Sequence, residues 1–249
     1  FITGAYNSSL KPISVELQII LSHIKKHFQR YCNNVSSHSN INTYFSINNS
    51  QRSSIFCADF TSLFTNLPHS VVIENIKFVL DLLFKNAENK TKGRRYHKYD
   101  IILILDYILK NSYAYYAGQY YRQTKGIPQG NNASPQIADI TLSVMEYRYI
   151  VNNIKSSHPL AYSLKNTYRY IDDLLHISSK TIDFKTITKD IYHSSLTLEQ
   201  TNHKPDYANF LDLFINIRND DTIHTSLYNK TDDYRFAVIR YPHYDSNLP

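Results

Sequence analysis

Tyr168-Arg169-Tyr170-Ile171-Asp172-Asp173-Leu174-Leu175-His176-Ile177 sets two adjacent carboxylates inside an otherwise largely apolar run. The pattern reads as two short strands joined by a turn at the acids. Adjacent acids at the tip of an apolar hairpin repel each other and lose hydration, and a divalent cation relieves both penalties. An isolated Asp-Asp is usually no more than a polar turn. Asp220-Asp221 and Asp232-Asp233 are read that way and are assigned no chemistry. Asp172-Asp173 differs because a third acid, Asp59, ends a second apolar run, Ile55-Phe56-Cys57-Ala58. Between the two acidic sites lies Gly126-Ile127-Pro128-Gln129-Gly130.

The elements around these sites follow from periodicity. Leu17, Ile20, Leu21, Ile24 and Phe28 predict a helix over 13–31, with Lys25, Lys26 and Arg30 on its outer face. Ser and Asn dominate 33–50, which reads as an irregular stretch. A strand at 55–59 is followed by a helix over 69–85, carried by Ile73, Ile76, Leu80 and Leu83. The polar, basic 86–98 stretch reads as a surface loop, and another helix covers 100–110. Tyr113–Tyr116 and Gln119–Gln123 flank Ala117-Gly118 as a hairpin. Pro135 opens a helix reaching Asn152, since proline's missing N–H costs little in a first turn. Beyond the acidic hairpin come a helix over 183–194, a strand over 196–200, and a second hairpin of 210–217 with 222–228. The order predicts an α+β fold, an antiparallel sheet backed by helices.

Composition bounds the function. The 249 residues suffice for one large domain or two small ones, and 42% are apolar. A net charge of +6 and a pI near 9.1 favour a polyanionic partner. Twenty-two Tyr and twelve Phe beside 27 Lys and Arg suit base stacking and phosphate contact. Cys32 and Cys57 lack zinc-site spacing and fit a reducing compartment. No apolar run approaches the roughly 20 residues needed to span a bilayer, so no membrane partner is expected. His23 and His27 are spaced i, i+4 but lack a companion acid, and read as a solvated helix face. The chain opens at Phe1 and its only Met is Met145, as expected of a piece of a longer protein.

Three carboxylates on two apolar elements are the donor set of two-metal phosphoryl transfer, which holds two Mg²⁺ roughly 3.5–4 Å apart. Asp59, Asp172 and Asp173 are therefore the expected metal ligands and catalytic residues, with Mn²⁺ as a substitute ion. Phe64, five residues after Asp59, would floor a sugar pocket and exclude a 2′-hydroxyl. Gln129, in a glycine-flanked turn, would contact a nucleotide. Lys204 is a candidate proton donor to departing pyrophosphate.

Those residues resemble the motifs of reverse transcriptases, especially those of Penelope-like retroelements. Asp59-Phe60-Thr61-Ser62-Leu63-Phe64-Thr65-Asn66-Leu67-Pro68-His69 resembles their motif A. The stretch from Gly126 to Ser134-Pro135 resembles motif B, and Tyr168 to Asp173 motif C. Phe210-Leu211-Asp212-Leu213 looks like their primer-grip strand, Leu10-Lys11-Pro12-Ile13-Ser14 like an early fingers motif, and Tyr228-Asn229-Lys230 and Pro242–Pro249 like the end of this subgroup. The resemblance implies a right-hand polymerase: partial fingers at 1–50, palm at 51–84, fingers at 85–125, palm at 126–217, and an extension toward a thumb at 218–249. It implies nucleotide contacts from Lys11, Phe60, Phe64, Gln129 and Gly130, although the family usually carries Arg in place of Lys11. It implies primer contacts from Phe210, Leu211 and Asp212. The implied partners are an RNA template, a DNA primer and dNTPs, and the implied residence is nuclear. Much of a thumb and any GIY-YIG endonuclease would lie outside the chain. Telomerase shares the Gly-Ile-Pro-Gln-Gly stretch and is the nearest rival, but Ser134-Pro135 followed by Ala138-Asp139 looks more Penelope-like. A viral RNA-templated RNA polymerase would favour an acid near 64, where Phe64 stands. A non-catalytic nucleic-acid-binding remnant is the alternative from another class.

Overall fold

The computed structural model describes residues 9–28, 54–84, 88–91, 94–155, 164–178, 183–220 and 222–234. Cys32, the 33–50 stretch and Pro242–Pro249 lie outside them. The described elements are α1 (Lys11–Phe28), β1 (Ser54–Thr61), α2 (Leu63–Asn66), α3 (His69–Leu83), β2 (Glu88–Thr91), β3 (Arg94–His97), α4 (Lys98–Lys110), β4 (Tyr113–Tyr116), β5 (Gln119–Arg122), α5 (Ser134–Lys155), β6 (Thr167–Tyr170), β7 (Asp173–Ser178), α6 (Phe184–Ile191), β8 (Thr197–Gln200), β9 (Tyr207–Phe210), β10 (Leu213–Ile217) and β11 (Ile223–Leu227). Short 3₁₀ turns occupy Leu164–Asn166 and Lys230–Asp233. The mixture is α+β, as expected.

A four-stranded antiparallel sheet in the order β6-β7-β1-β8 lies at the centre. Alternation along β1 divides its side chains between two cores. Phe56 and Phe60 face the helices, where Leu17, Val72, Leu105 and Ile140 are buried. Ile55 and Cys57 face the other way, against Phe210, Leu213 and Ile215 of β9 and β10. The sheet is thus covered on both faces. The sequence reading provided only for helices, because strand alternation does not say what covers the second face.

Two local expectations need correction. The 86–98 stretch is not all loop, since its described part pairs as the β2–β3 hairpin. The expected 210–217 strand breaks at Leu211-Asp212, where Phe210 pairs with Leu213 across a two-residue turn. Leu211 takes φ 54° there, so β9, β10 and β11 form a separate three-stranded meander. The apolar run concealed the turn because it lacks the glycine or asparagine that usually marks one. Buried positions on α3 also fall at Val72, Ile76, Val79 and Leu80, leaving Ile73 and Leu83 at the margin.

Helix α5 is buried on most sides, including its polar residues Asp139, Thr141, Ser143 and Glu146. What satisfies several of them is Arg169 on β6, whose guanidinium is buried. Its Nε donates to Glu146 at 2.6 Å. Nη1 donates to Asp139 Oδ1 at 2.6 Å and to the Ile171 carbonyl at 3.1 Å. Nη2 donates to Ser143 Oγ at 2.8 Å and to the Asp139 carbonyl at 3.2 Å. All five N–H groups are thereby used. Lys25 of α1 pairs with the other Asp139 oxygen, and Tyr192 donates to Glu146 at 2.9 Å. Burial alone would raise the Asp139 pKa, but the charges of Arg169 and Lys25 outweigh it and hold the carboxyl below its usual value.

Removing one member of such a cluster leaves charges buried without partners. Arg169→Met should cost about 3–5 kcal/mol, read as a lower midpoint in urea unfolding. An unchanged midpoint would show that the cluster does not hold β6 to α5.

Candidate active site

The register of β1 on β7 places Asp59 directly opposite Asp173. Asp172 occupies the turn before β7, and its carbonyl accepts a hydrogen bond from the Phe60 amide at 3.1 Å. The three expected acids therefore meet at one end of the central sheet. Burial and then the Asp172 charge raise the pKa of Asp59. Asp173 is pushed up to about 6 by burial, Asp172 and Asp59, against the opposing charge of Lys230.

The turn itself is strained. Tyr170 pairs with Asp173, so Ile171 and Asp172 are its two central residues, and Ile171 has φ 53°. A β-branched residue there is a genuine outlier, costing on the order of 1–3 kcal/mol. The Arg169 contact to the Ile171 carbonyl holds it in place.

A cleft of about 750 Å³ opens beside the acids, between the central sheet and the meander. Asp173 and Tyr170 line one side, and Leu211, Asp212, Tyr228 and Lys230 line the other. Tyr228 N donates to the Asp212 carbonyl at 2.9 Å, which draws the chain after β11 back to this turn. Lys230 is thus the cation acting on Asp173. The sequence reading gave it no individual role, because its position depends on the meander folding back.

The Lys204 ammonium lies over the ring of Tyr207, which lines the same cleft, 5.6 Å from the centroid. Asn202 fixes the backbone there, since its side chain bonds the Cys57 N–H at 2.8 Å, the Ile55 carbonyl at 2.9 Å and the Lys204 carbonyl at 2.6 Å. Phe60 and Phe210 differ from expectation. The Phe60 ring is buried edge-on against Tyr192 at 4.7 Å, and Phe210 lies in the second core. Their side chains are therefore core, not ligand contacts. Leu211 and Asp212 do reach the cleft.

Gly126-Ile127-Pro128-Gln129-Gly130 is joined to the segment after Asp59. Ile127 N donates to the Phe64 carbonyl at 2.6 Å, Gly126 N to the Leu67 carbonyl at 2.8 Å, and His69 Nε2 bonds the Gly126 carbonyl at 2.9 Å. Gly126 has φ +87°, and a Cβ there would sit 2.3 Å from the Phe64 carbonyl oxygen. Only glycine permits that approach. Phe64 is half-buried against the helical core, Gln129 is half-buried and Gly130 is exposed. Lys11 is exposed at the start of α1, and Ser14 one turn later bonds Asn131 just beyond Gly130.

The three acids offer oxygen donors, while His203 and Cys57 line the same cleft as Asp173. Cys57 is pushed up to about 11 chiefly by burial and stays a thiol. Among the described residues no group of three or more His, Cys, Asp or Glu side chains is placed to hold a metal ion. Mg²⁺ does not need such a group, since it keeps waters and is usually held by one or two carboxylates plus substrate phosphates. Asp59, Asp172 and Asp173 offer carboxylate oxygens of that kind.

No protein-family model matches the sequence, and no curated protein matches it. Solved structures do. The chain resembles apo telomerase of Candida tropicalis truncated from its C-terminal domain, with a TM-score of 0.60 and 16% identity over 90% of this chain and 46% of that one. It also resembles Candida albicans telomerase in complex with a fragment of telomeric RNA, with a TM-score of 0.59 and 15% identity over 86% of this chain and 39% of that one. These likenesses show the fold. The chain spans less than half the length of either protein.

The acids make a prediction of definite sign. A carboxyl with a raised native pKa favours the folded state when protonated, so Asp173 destabilises the metal-free protein as pH rises from the ordinary 3.8 through about 6. Asp172→Asn removes one source of repulsion. Thermal melting in EDTA should show a higher midpoint for the variant at pH 7.5, and a difference that shrinks as the pH is lowered through about 6 and is gone well below 3.8, where Asp173 is protonated in both states. An equal midpoint at pH 7.5 would mean that the carboxylates do not repel.

Proposed function

We propose that this chain is the catalytic core of an RNA-directed DNA polymerase, transferring deoxynucleotides to a primer 3′-hydroxyl. The observation that carries the reading is the β1–β7 register, which sets Asp59 opposite Asp173 with Asp172 at the adjoining turn. The fold shared with the telomerase structures supports it. Asp59, Asp172 and Asp173 would hold two Mg²⁺, and such ions, when bound, supply charge neutralisation at phosphate and a more acidic primer hydroxyl.

The chain's own groups would do the rest. The primer hydroxyl attacks the α-phosphate of a dNTP, and pyrophosphate leaves. Gln129 would contact the nucleotide, and the half-buried Phe64 ring, held through its backbone by Ile127, would close the floor under the sugar. The turn of Leu211-Asp212 would hold the primer end from across the cleft. Lys230, beside Asp173, balances part of the carboxylate charge, and Lys204 would donate a proton to the departing pyrophosphate.

Within polymerases, the motif resemblance favours a Penelope-like retroelement. A telomerase-like enzyme is the second reading, favoured by the solved structures that share the fold. Asp139, part of the Ala-Asp pair behind the Penelope-like preference, serves as the buried partner of Arg169. That structural role weakens it as a marker of subgroup.

Primer extension on an RNA template by the protein containing this chain, with Mg²⁺ or Mn²⁺, tests the reading. Asp172→Asn should lower extension at least about 100-fold, the scale of losing a principal electrostatic group. Duplex binding without extension in the unsubstituted protein would sink the proposal in favour of a binding remnant. Sugar selection is a separate test: Phe64→Ala should raise ribonucleotide relative to deoxynucleotide incorporation about tenfold or more, given that a steric contact is worth ~1–3 kcal/mol. An unchanged ratio rejects Phe64 as the gate.

A further inference from the structure

The β4–β5 hairpin lies outside the acidic site and has no role in the function proposed above. Its Ala117-Gly118 turn has φ 50° and 81°, the double left-handed pattern of a tight hairpin. Cross-strand partners share a face in such a ladder. The register pairs Tyr113 with Arg122 and Tyr115 with Tyr120, so one face carries three tyrosines and an arginine. That face is open: Tyr113 is 52% exposed, Tyr115 65% and Tyr120 79%. The Tyr115 and Tyr120 rings lie 4.9 Å apart, tilted by 51°.

The chemistry of the segment is narrow. From Tyr113 to Lys125 every side chain belongs to Tyr, Ala, Gly, Gln, Thr, Arg or Lys. There is no aliphatic larger than alanine, and no Asp or Glu occurs between Asp106 and Asp139. Arg122 and Lys125 are exposed, and neither pairs with an acid among the described residues. Burying three tyrosines is unnecessary for the fold, and their exposure leaves aromatic faces available beside cations. Tyrosine and arginine also anchor protein interfaces, so the rings alone do not choose the partner. The uncompensated positive charge beside them does, matching a single-stranded nucleic acid, whose bases stack and whose phosphates need cations.

The hairpin is also continuous with the candidate site. Gln123 N donates to the Ser112 carbonyl at 2.9 Å, closing the base of the hairpin. The chain then passes directly into Gly126-Ile127, which is bonded to Phe64 and Leu67.

We propose that Tyr113, Tyr115, Tyr120 and Arg122 form a stacking platform for the unpaired RNA strand approaching the active site. The assignment of that strand as template rests on the polymerase reading, but binding to it is measurable without catalysis. Stacking is sequence-tolerant, so the platform carries no base preference. It selects unpaired over paired RNA, because duplex bases present no free faces.

Fluorescence anisotropy with a short labelled single-stranded RNA of mixed sequence, and with a blunt RNA–DNA duplex of equal length, tests the proposal on the full protein. Tyr115→Ala/Tyr120→Ala should weaken single-strand binding about tenfold or more, the scale of one or more lost stacks. Duplex affinity and thermal midpoint should stay unchanged, and Tyr115→Phe/Tyr120→Phe should retain single-strand affinity. Unchanged single-strand affinity in the alanine variant overturns the platform, as does equal loss on the duplex. No single-strand binding by the unsubstituted protein overturns it too. A dimer that becomes monomeric with the alanine variant overturns it in favour of a protein interface. If the unsubstituted protein binds single strands through these tyrosines yet extends no primer, the polymerase reading fails and the platform stands as an RNA-binding surface.

Discussion

The buried guanidinium of Arg169 is the constraint on which the site depends. Five N–H groups in a rigid plane find acceptors on two residues of α5, one of its backbone carbonyls, one of its hydroxyls and the carbonyl of Ile171. A planar, permanently charged donor can do this where a lysine's point charge cannot. The same plane therefore fixes the helix behind the sheet and the backbone of the acidic turn in front of it. Glu146 extends the network to Tyr192, whose ring packs on Phe60, the residue next to Asp59. Both strands that present acids are positioned from one buried cluster.

That arrangement explains how the fold tolerates an unfavourable site. Asp59, Asp172 and Asp173 repel one another, and Ile171 adopts a backbone conformation that suits glycine. Both features cost stability, and the buried network behind them holds the geometry in place, because breaking it would leave charges buried without partners. The Leu211-Asp212 turn repeats the device on the far side of the cleft, again with an apolar residue at positive φ followed by aspartate. Two turns with an apolar residue at positive φ, on two different sheets, thus stand beside one cleft, lined by Tyr170 and Asp173 from the first and by Leu211 and Asp212 from the second. A cation would relieve the repulsion, while the turn geometry is set by the chain alone.

Much of this was legible in local patterns. Helix α1 appears where its apolar spacing predicts, with Leu17, Ile20, Leu21, Ile24 and Phe28 buried. The acidic hairpin and the β4–β5 hairpin pair about the expected turns. Less local features were missed for definite reasons. The meander was hidden because Leu211 is an apolar residue in a turn. The family resemblance implies a nucleotide contact from Phe60, yet alternation sends its ring to the face of the strand opposite Asp59, into the helical core.

The sequence by itself determined that three carboxylates sit on two apolar elements with a glycine turn between them, and that the fold is α+β. Those are consequences of residue type and short-range period, which act within a few residues. Only the tertiary structure decided that Arg169 is the partner of Asp139 and Glu146, that Gly126 must be glycine because Phe64 presses on it, and that the Lys230 charge acts on Asp173. Each of these joins residues distant in the chain. Buried ion pairs, close backbone approach and cleft walls depend on where separate elements meet, and no local pattern encodes that meeting. The acidic pair was visible as chemistry from the start, and what holds it in place became visible only when β6, β7 and α5 were packed together.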